Sequence, residues 1–414
     1  MTTSAPPRQP ALGFIFVTLV LAIVGFGILV PVLPQLLVQF QHGGEADGSR
    51  AFGWIVSVYA LMQFVGSPIL GSLSDRFGRR KIILIATAGS AIDYLIMANT
   101  TSLTWFFVAR TIAGVTAGVF STANAYIADV TPPEKRAGAY GLLGAAFGLG
   151  FIIGPVLGGF LGTYSLKLPF WFAAGCSILN WTYGFFVLPE SLAPENRRAF
   201  SWKRANPIGA LLNLKRFPAV LGLVESYFIL MLSQLLLQAT WTLYTQHRYH
   251  WKTMEVGLSL GFAGVAMAFV QAVVVRKIVP QLGETRAVAL GFCISIVAQV
   301  CYGLATSGWM IYAIICFGAF AGISGPALQS YITRHVPANE QGAVQGVFSG
   351  LQSLAGIPGP FIATHSFAWA ISQTGFWNMP GIAFFEAAIL LVISMLLALR
   401  TFRRTDRLAQ AAPA

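Results

Sequence analysis

The chain is 414 residues long, yet 56% of its residues are hydrophobic and only 10% are charged. That composition excludes a pair of soluble domains with polar surfaces and describes an all-α integral membrane protein, a chain dissolved in lipid. A net charge of +12 raises nucleic acid as a partner, and its distribution rejects it: with the topology below, 21 of 26 Lys and Arg residues fall in cytoplasmic segments or at the cytoplasmic ends of spans.

The segment 1–10 is short, polar and proline-rich, and the apolar run behind it is too long for a signal-peptide core, so that run stands as the first span. Apolar runs of about twenty residues predict twelve transmembrane helices, near 14–34, 53–73, 82–100, 103–126, 137–160, 169–188, 218–240, 254–277, 287–306, 308–330, 343–364 and 379–400. An even number, with the cation bias, places both termini in the cytoplasm. The longest polar interruption divides the chain into an N-terminal six-helix bundle over 1–188, a cytoplasmic linker over 189–217 and a C-terminal six-helix bundle over 218–414. Cys176, Cys293, Cys301 and Cys316 all lie in apolar runs without ligand spacing, so neither a disulfide framework nor a metal site is expected.

The division is accompanied by an internal repeat at an offset of 205 residues. Gly78 recurs as Gly283, Thr101-Ser102 as Thr306-Ser307, Pro132 as Pro337, Gly141 as Gly346 and Gly154-Pro155 as Gly359-Pro360. The halves are not equivalent, because Asp75 corresponds to Pro280 and Arg79 to Glu284.

Between spans 2 and 3 runs Gly71-x-Leu73-x-Asp75-Arg76-x-Gly78-Arg79-Arg80-Lys81. Its four cations within six residues mark a tight cytoplasmic turn. The pattern resembles the signature loop of the major facilitator superfamily at each fixed position, which implies two pseudo-symmetric six-helix bundles and transport between them.

Three carboxylates lie inside predicted spans: Asp93, Glu225 and Glu386. A charged group at mid-helix costs about 2.5–3.5 kcal/mol on insertion scales, so it faces a cavity or a partner. Counting from the outer helix ends puts Asp93 of span 3 and Arg110 of span 4 at one depth. This predicts either a switchable ion pair that couples transport to protons or a permanent bridge between two helices. Glu225 and Glu386 sit near helix ends, where a long acid snorkels.

Span 4 continues as Arg110-x3-Gly114-x3-Gly118, and span 5 carries Gly141-x8-Gly150-x3-Gly154-Pro155-x2-Gly158-Gly159. Small residues four apart admit close helix packing. The span 5 pattern is similar to the antiporter motif of the drug:proton antiporter branch. Further stretches, among them Gly25-x-Gly27-x3-Pro31-x2-Pro34, Ile127-Ala128-Asp129 and Pro326-Ala327-Leu328-Gln329, resemble the tetracycline efflux proteins. That resemblance implies a cytoplasmic charge relay of Asp75, Arg79 and Asp129, with Gly71, Arg76 and Gly78 completing the gate loop. Asp75 ends span 2 and is expected beside the amides that open span 11. Where the tetracycline family carries two further membrane aspartates and a histidine, this chain holds Ala22, Ser295 and Met267. Such side chains offer poor ligands to a divalent cation, which argues against a metal–tetracycline chelate.

Polar residues available to a cavity are Asn124, Gln234, Gln238, Gln271 and Gln329, with Tyr59, Trp241 and Tyr244 as aromatic walls; inter-helix hydrogen bonding is the competing role for each amide. The expected function is a proton-coupled efflux antiporter of a small organic compound, tetracycline-like or multidrug, powered by the proton gradient without a cofactor. It would be a monomer of the bacterial cytoplasmic membrane whose partners are a small substrate, protons and lipid. The alternatives are an uncoupled or importing facilitator of a small metabolite and, from another class, a membrane receptor or enzyme. No His-Glu-x-x-His or intact phosphate-binding loop supports an enzyme, and the Gly-x-Ser-x-Gly string at Gly257–Gly261 lies within an apolar span rather than at the strand-to-helix turn a nucleophile elbow needs.

Overall fold

The computed structural model describes residues 12–41, 43–202, 206, 221–336 and 341–411, and among these every regular element is helical. Helices are the natural form here, because a spanning backbone must satisfy its N–H and C=O groups within its own segment. The first half holds α1 (Leu12–Leu29), α2 (Leu33–Phe40), α3 (Gly44–Phe77), α4 (Arg79–Asn99), α5 (Leu103–Val115), α6 (Val119–Val130), α7 (Arg136–Tyr164) and α8 (Leu168–Val187). The second holds α9 (Leu221–Tyr249), α10 (Thr253–Phe269), α11 (Val275–Leu282), α12 (Glu284–Leu304), α13 (Gly308–Ala319), α14 (Ser324–Arg334), α15 (Gln341–Ala355), α16 (Pro358–Ile371) and α17 (Ile382–Ala411). Ten of the expected spans are each long and apolar enough to cross a membrane; α8 and the α15–α16 pair occupy the other two positions. Of the expected linker, 189–202 and Asn206 are described, with one 3-10 turn at Pro194–Asn196, and its Lys203, Arg204, Lys215 and Arg216 lie outside the described residues.

Several spans expected as single helices are interrupted, and each interruption has a local cause. Pro31 ends α1 and Pro34 opens α2. Span 11 breaks before Pro358, at the first position of α16, where the missing N–H costs no helical bond. Span 4 breaks at Thr116–Gly118, where the Thr116 hydroxyl donates back to the Ile112 carbonyl at 2.8 Å. Adding the repeat offset brings that break onto the 3-10 turn Phe320–Ile323 in span 10, so the duplication preserved an irregularity as well as a motif. Opposite it, span 8 passes through a π-helical turn at Val270–Val274.

The apolar interior shows how the halves meet. One cluster draws buried residues from both, including Leu29, Phe52, Phe106 and Phe170 of the first and Trp241, Val256, Phe367 and Phe384 of the second. Toward the other end each half has its own core, with Phe14, Ile83 and Tyr126 in one and Val224, Val288 and Phe348 in the other. The molecule is therefore sealed at the end that carries Glu45 and His247 and divided toward the end that carries Asp75.

Two helix pairs make the seal. On α7 and α10, Gly159 and Gly257 bring the backbones so close that a Cβ on Gly159 would stand 2.6 Å from the Thr253 carbonyl oxygen. The same face of α7 continues through Gly148, Gly144 and Gly141, beside which space is open. On α3 and α16, Ser57 donates to the Ile357 carbonyl at 2.8 Å, whereas Gly71, five turns from Gly53 on the same face, has nothing within 4 Å. The Glu45–His247 contact, 2.9 Å between Oε2 and Nδ1, and Thr242 donating to the Val30 carbonyl at 3.0 Å complete the sealed end. In lipid such contact rests on van der Waals packing of small residues rather than on hydrophobic exclusion.

Replacing Gly159 with Val should force α7 and α10 apart at a cost of roughly 1–3 kcal/mol. The expected outcome is a lower Tm in a fluorescence melt of the detergent-solubilised protein, together with greater reactivity of a cysteine placed at the Glu45 end; an unchanged Tm would contradict the packing described.

Candidate functional site

Helices α4 and α5 run antiparallel, and the sequence places one ionisable group on each. Asp93 is 1% and Arg110 5% exposed. The Arg110 Nε donates to Asp93 Oδ1 at 3.0 Å, and its Nη2 contacts Oδ2, a two-pronged pairing of the kind planar guanidinium and carboxylate groups favour. The ring of Tyr59, from α3, lies 5.4 Å from the guanidinium carbon and that of Tyr94 lies 6.0 Å from it. Removing one partner from a buried pair costs about 3–5 kcal/mol, because the other charge is left uncompensated. The second half has no counterpart: the repeat offset carries Asp93 onto Ala298 and Arg110 onto Ile315, both buried in the shared apolar cluster. Of the other membrane carboxylates, Glu225 is exposed and Glu386 is part-buried with one oxygen lacking a hydrogen-bond partner.

A second ionic cluster closes the Asp75 end of the first half. Arg79, 7% exposed, joins three elements: its Nη1 donates to Asp75 Oδ1 at 2.6 Å and to Ser74 Oγ at 2.7 Å, and its Nε donates to Asp129 Oδ2 at 3.0 Å. Asp75, Arg79 and Asp129 are thus brought together, while Arg76 lies apart, exposed over the Phe77 ring. Asp75 accepts from Arg79, and the turn 337–340 that leads into span 11, beside which Asp75 is expected, lies outside the described residues. Gly78 has φ +100°, a conformation that side chains resist, and the Glu190 carboxylate fills the space where its Cβ would stand.

Sequence reasoning missed Glu190. Its Oε1 accepts from the Arg79 N–H at 2.7 Å and its Oε2 from the Arg80 N–H at 3.3 Å, so it satisfies the free amides that open α4. The adjacent Ser191 hydroxyl donates to Asp129 at 3.1 Å, and the Arg198 N–H donates to the Asp75 carbonyl at 3.0 Å. The start of the linker therefore lies against the gate loop. The only signal in the sequence is an acid directly after a span-ending proline.

The span 5 glycines serve two interfaces. Gly150, Gly154 and Gly158 face α1, with a Cβ on Gly154 standing 2.9 Å from the Cα of Gly27, while Gly159 and the Pro155 carbonyl face α10 and the Pro155 ring lies against Gly27. Gly141 has open space beside it and takes no part in this packing. Of the expected cavity amides, Gln271 donates to the Gly322 carbonyl at 3.2 Å and Gln329 to the Tyr227 hydroxyl at 2.9 Å, so both bond between helices. Asn124 is exposed and donates to Phe120 of its own helix at 3.0 Å; Gln234 and Gln238 lie one turn apart on α9, part-buried and exposed. Trp241 and Tyr244, expected as aromatic walls, are both buried in the shared core, where the Trp241 indole donates to Ser259 Oγ at 3.0 Å.

A buried ion pair between two spans, an ionic cluster on the signature loop and halves that meet at one end are features of a carrier. Residues 15–360 match the family model of the Major Facilitator Superfamily. The chain is 38% identical to the tetracycline resistance protein, class C, of Escherichia coli, over 93% of this chain and 95% of that one. It is 34% identical to the class H protein of Pasteurella multocida, over 93% and 95%. Its fold superposes on the human organic anion transporter MFSD10 with a TM-score of 0.71 and 25% identity, covering 95% of this chain and all of that one. This chain belongs to the Major Facilitator Superfamily: it is a multi-pass membrane transporter built from two six-helix halves, and it is similar over 93% of its length to tetracycline resistance proteins.

Proposed function

We propose that this protein is a proton-coupled efflux antiporter of a small organic compound, a monomer of the bacterial cytoplasmic membrane with both termini and the Asp75 end in the cytoplasm. The observation that carries the reading is the buried pair of Asp93 and Arg110. A structural bridge needs no such expense in lipid, whereas a carboxylate that exchanges its arginine for a proton changes the charge balance of two helices at once. The energy scale fits: breaking the pair involves about 3–5 kcal/mol, the order of the ~5.5 kcal/mol that carries a two-state equilibrium from 1:99 to 99:1.

The cycle follows from the shape. With the Glu45 end sealed and the Asp75 end divided, the space between the halves faces the cytoplasm, and Asp93 is ionised and paired. This is the state expected of an exporter that has released its proton and awaits substrate. Substrate binding and closure of the Asp75 end would open the opposite end, where substrate leaves, Asp93 takes a proton and Arg110 is freed. Return to the starting shape delivers the proton to the cytoplasm. The latch of the cytoplasmic gate is read as Asp75 on the amides that open span 11, with Arg79 and Asp129 taking Asp75 up in the open shape, and the glycines of α7 as the surface on which the halves rock.

Tetracycline-like molecules are the first substrate class to consider, given the relatives. Ala22 and the exposed Met267 supply no ligand for a chelated divalent ion, so the compound is expected to move without its metal. The same losses favour one competing reading, an uncoupled or importing facilitator in which Asp93 and Arg110 only join two helices.

Inverted membrane vesicles with an acid interior separate the two. Addition of tetracycline, with or without Mg²⁺, should release protons from the interior in wild type, as followed with a pH dye, and Asp93→Asn should abolish the release while leaving a folded, monodisperse protein. A wild type that releases no proton would support the uncoupled reading, and release that persists in Asp93→Asn would remove Asp93 from the coupling role. Asp75→Asn should weaken the latch and shift the population toward the cytoplasm-open shape, seen as faster labelling of a cysteine at Gly144; equal labelling would count against it. Removing Mg²⁺ should leave transport within about twofold of its level with the metal, whereas a strict metal requirement would show that chelate transport survives without the missing ligands.

A further inference from the structure

We propose that Tyr59 is a positioning residue of the coupling step: its ring holds the Arg110 guanidinium when Asp93 takes up a proton, and so sets the pH at which the carrier loads. The proposal rests on the antiport reading above and adds to it the fate of the arginine. A guanidinium does not lose its proton in a protein, so once its carboxylate is neutral it remains a cation in the membrane interior and must find another partner.

The structure offers two aromatic faces and no second acid. Among the described residues the ion pair of Arg110 is with Asp93 alone. The Tyr59 ring, at 5.4 Å, and the Tyr94 ring, at 6.0 Å, stand within the reach of a cation–π contact. The titratable and charged groups facing this point are Tyr59 from α3, Asp93 and Tyr94 from α4, Arg110 from α5 and Cys176 from α8, the last near Tyr94. Tyr59 differs from Tyr94 in what it is attached to. It lies two residues after Ser57, which bonds α16 of the other half, and one before Ala60, which packs against Gly356. Its carbonyl oxygen would stand 2.6 Å from a Cβ on Gly114, so α3 and α5 are in backbone contact at the same level. An arginine drawn from Asp93 toward Tyr59 therefore moves against the helix that seals the Glu45 end.

The sign is set by charge. An electron-rich ring stabilises a free guanidinium more than one already neutralised by a carboxylate, so Tyr59 favours the proton-loaded state. Without the ring, loading requires a more acidic solution, and half-maximal coupling moves to lower pH. A cation–π contact of ordinary strength corresponds to a shift of about half to one pH unit.

The test uses the full-length protein in inverted vesicles, with tetracycline and ethidium as probes and proton release measured against interior pH. Wild type and Tyr59→Phe should give the same midpoint, since the hydroxyl is not required, and Tyr59→Leu should shift it to acid. Replacing Tyr59 by 4-fluoro- and 3,4,5-trifluorophenylalanine preserves the ring's shape while draining its charge, so the midpoint should move stepwise to acid along that series even where the leucine variant fails to fold. Superimposable profiles for phenylalanine and its fluorinated forms in a coupled carrier would overturn the role of Tyr59 alone. A wild type that releases no proton with either probe would overturn the antiport reading, and this proposal with it.

Discussion

A carboxylate and a guanidinium that meet in the interior of a membrane bundle cannot part unless something replaces the lost partner. Asp93 and Arg110 are in that position, buried between α4 and α5 with tyrosine rings around the arginine. In the second half the equivalent places hold Ala298 and Ile315, and the packing there is apolar. The duplication has left a buried ion pair in one half and apolar packing at the equivalent places of the other. An asymmetry of this kind suits a carrier in which one half senses the driving ion and the interface between halves converts that into movement.

Conversion needs a surface on which two bundles can change their angle without losing contact. Small residues supply it. The glycines of α7 press on α1 within the half and on Gly257 of α10 across the halves, so this helix belongs to both bodies. Because lipid offers no hydrophobic drive to helix association, such contacts depend on closeness alone, and a single added methyl group is felt. The interruptions in spans 4, 8, 10 and 11 act in the same sense, since each frees backbone groups that local side chains, such as Thr116 and Gln271, satisfy again.

The ionic cluster at the Asp75 end follows different physics. Arg79 is partnered by Asp75, Ser74 and Asp129, and the helix amides behind it by Glu190. The positive φ of Gly78 allows the chain to turn between α3 and α4 while leaving room for that carboxylate. The first residues of the linker are thus part of the loop's geometry, which ties the connection between halves to the latch proposed for the gate.

The sequence by itself determined the all-helical membrane class, the twofold repeat and the depth match of Asp93 with Arg110, because apolar length, motif spacing and helical rise are local properties that twenty-residue runs display openly. It also marked Asp75, Arg79 and Asp129, through motif resemblance. Only the tertiary structure decided what each polar residue meets. Gln271 and Gln329 bond between helices, Trp241 and Tyr244 fill a core, and Glu190 caps α4, since an amide or an acid reads the same in sequence whether it faces a cavity or a neighbour. Which end is sealed was also decided there. Two packings of one chain use the same apolar faces, and the choice lies in contacts between residues about 100 to 300 positions apart, such as Ser57 with Ile357 and Gly159 with Thr253, which no local pattern records.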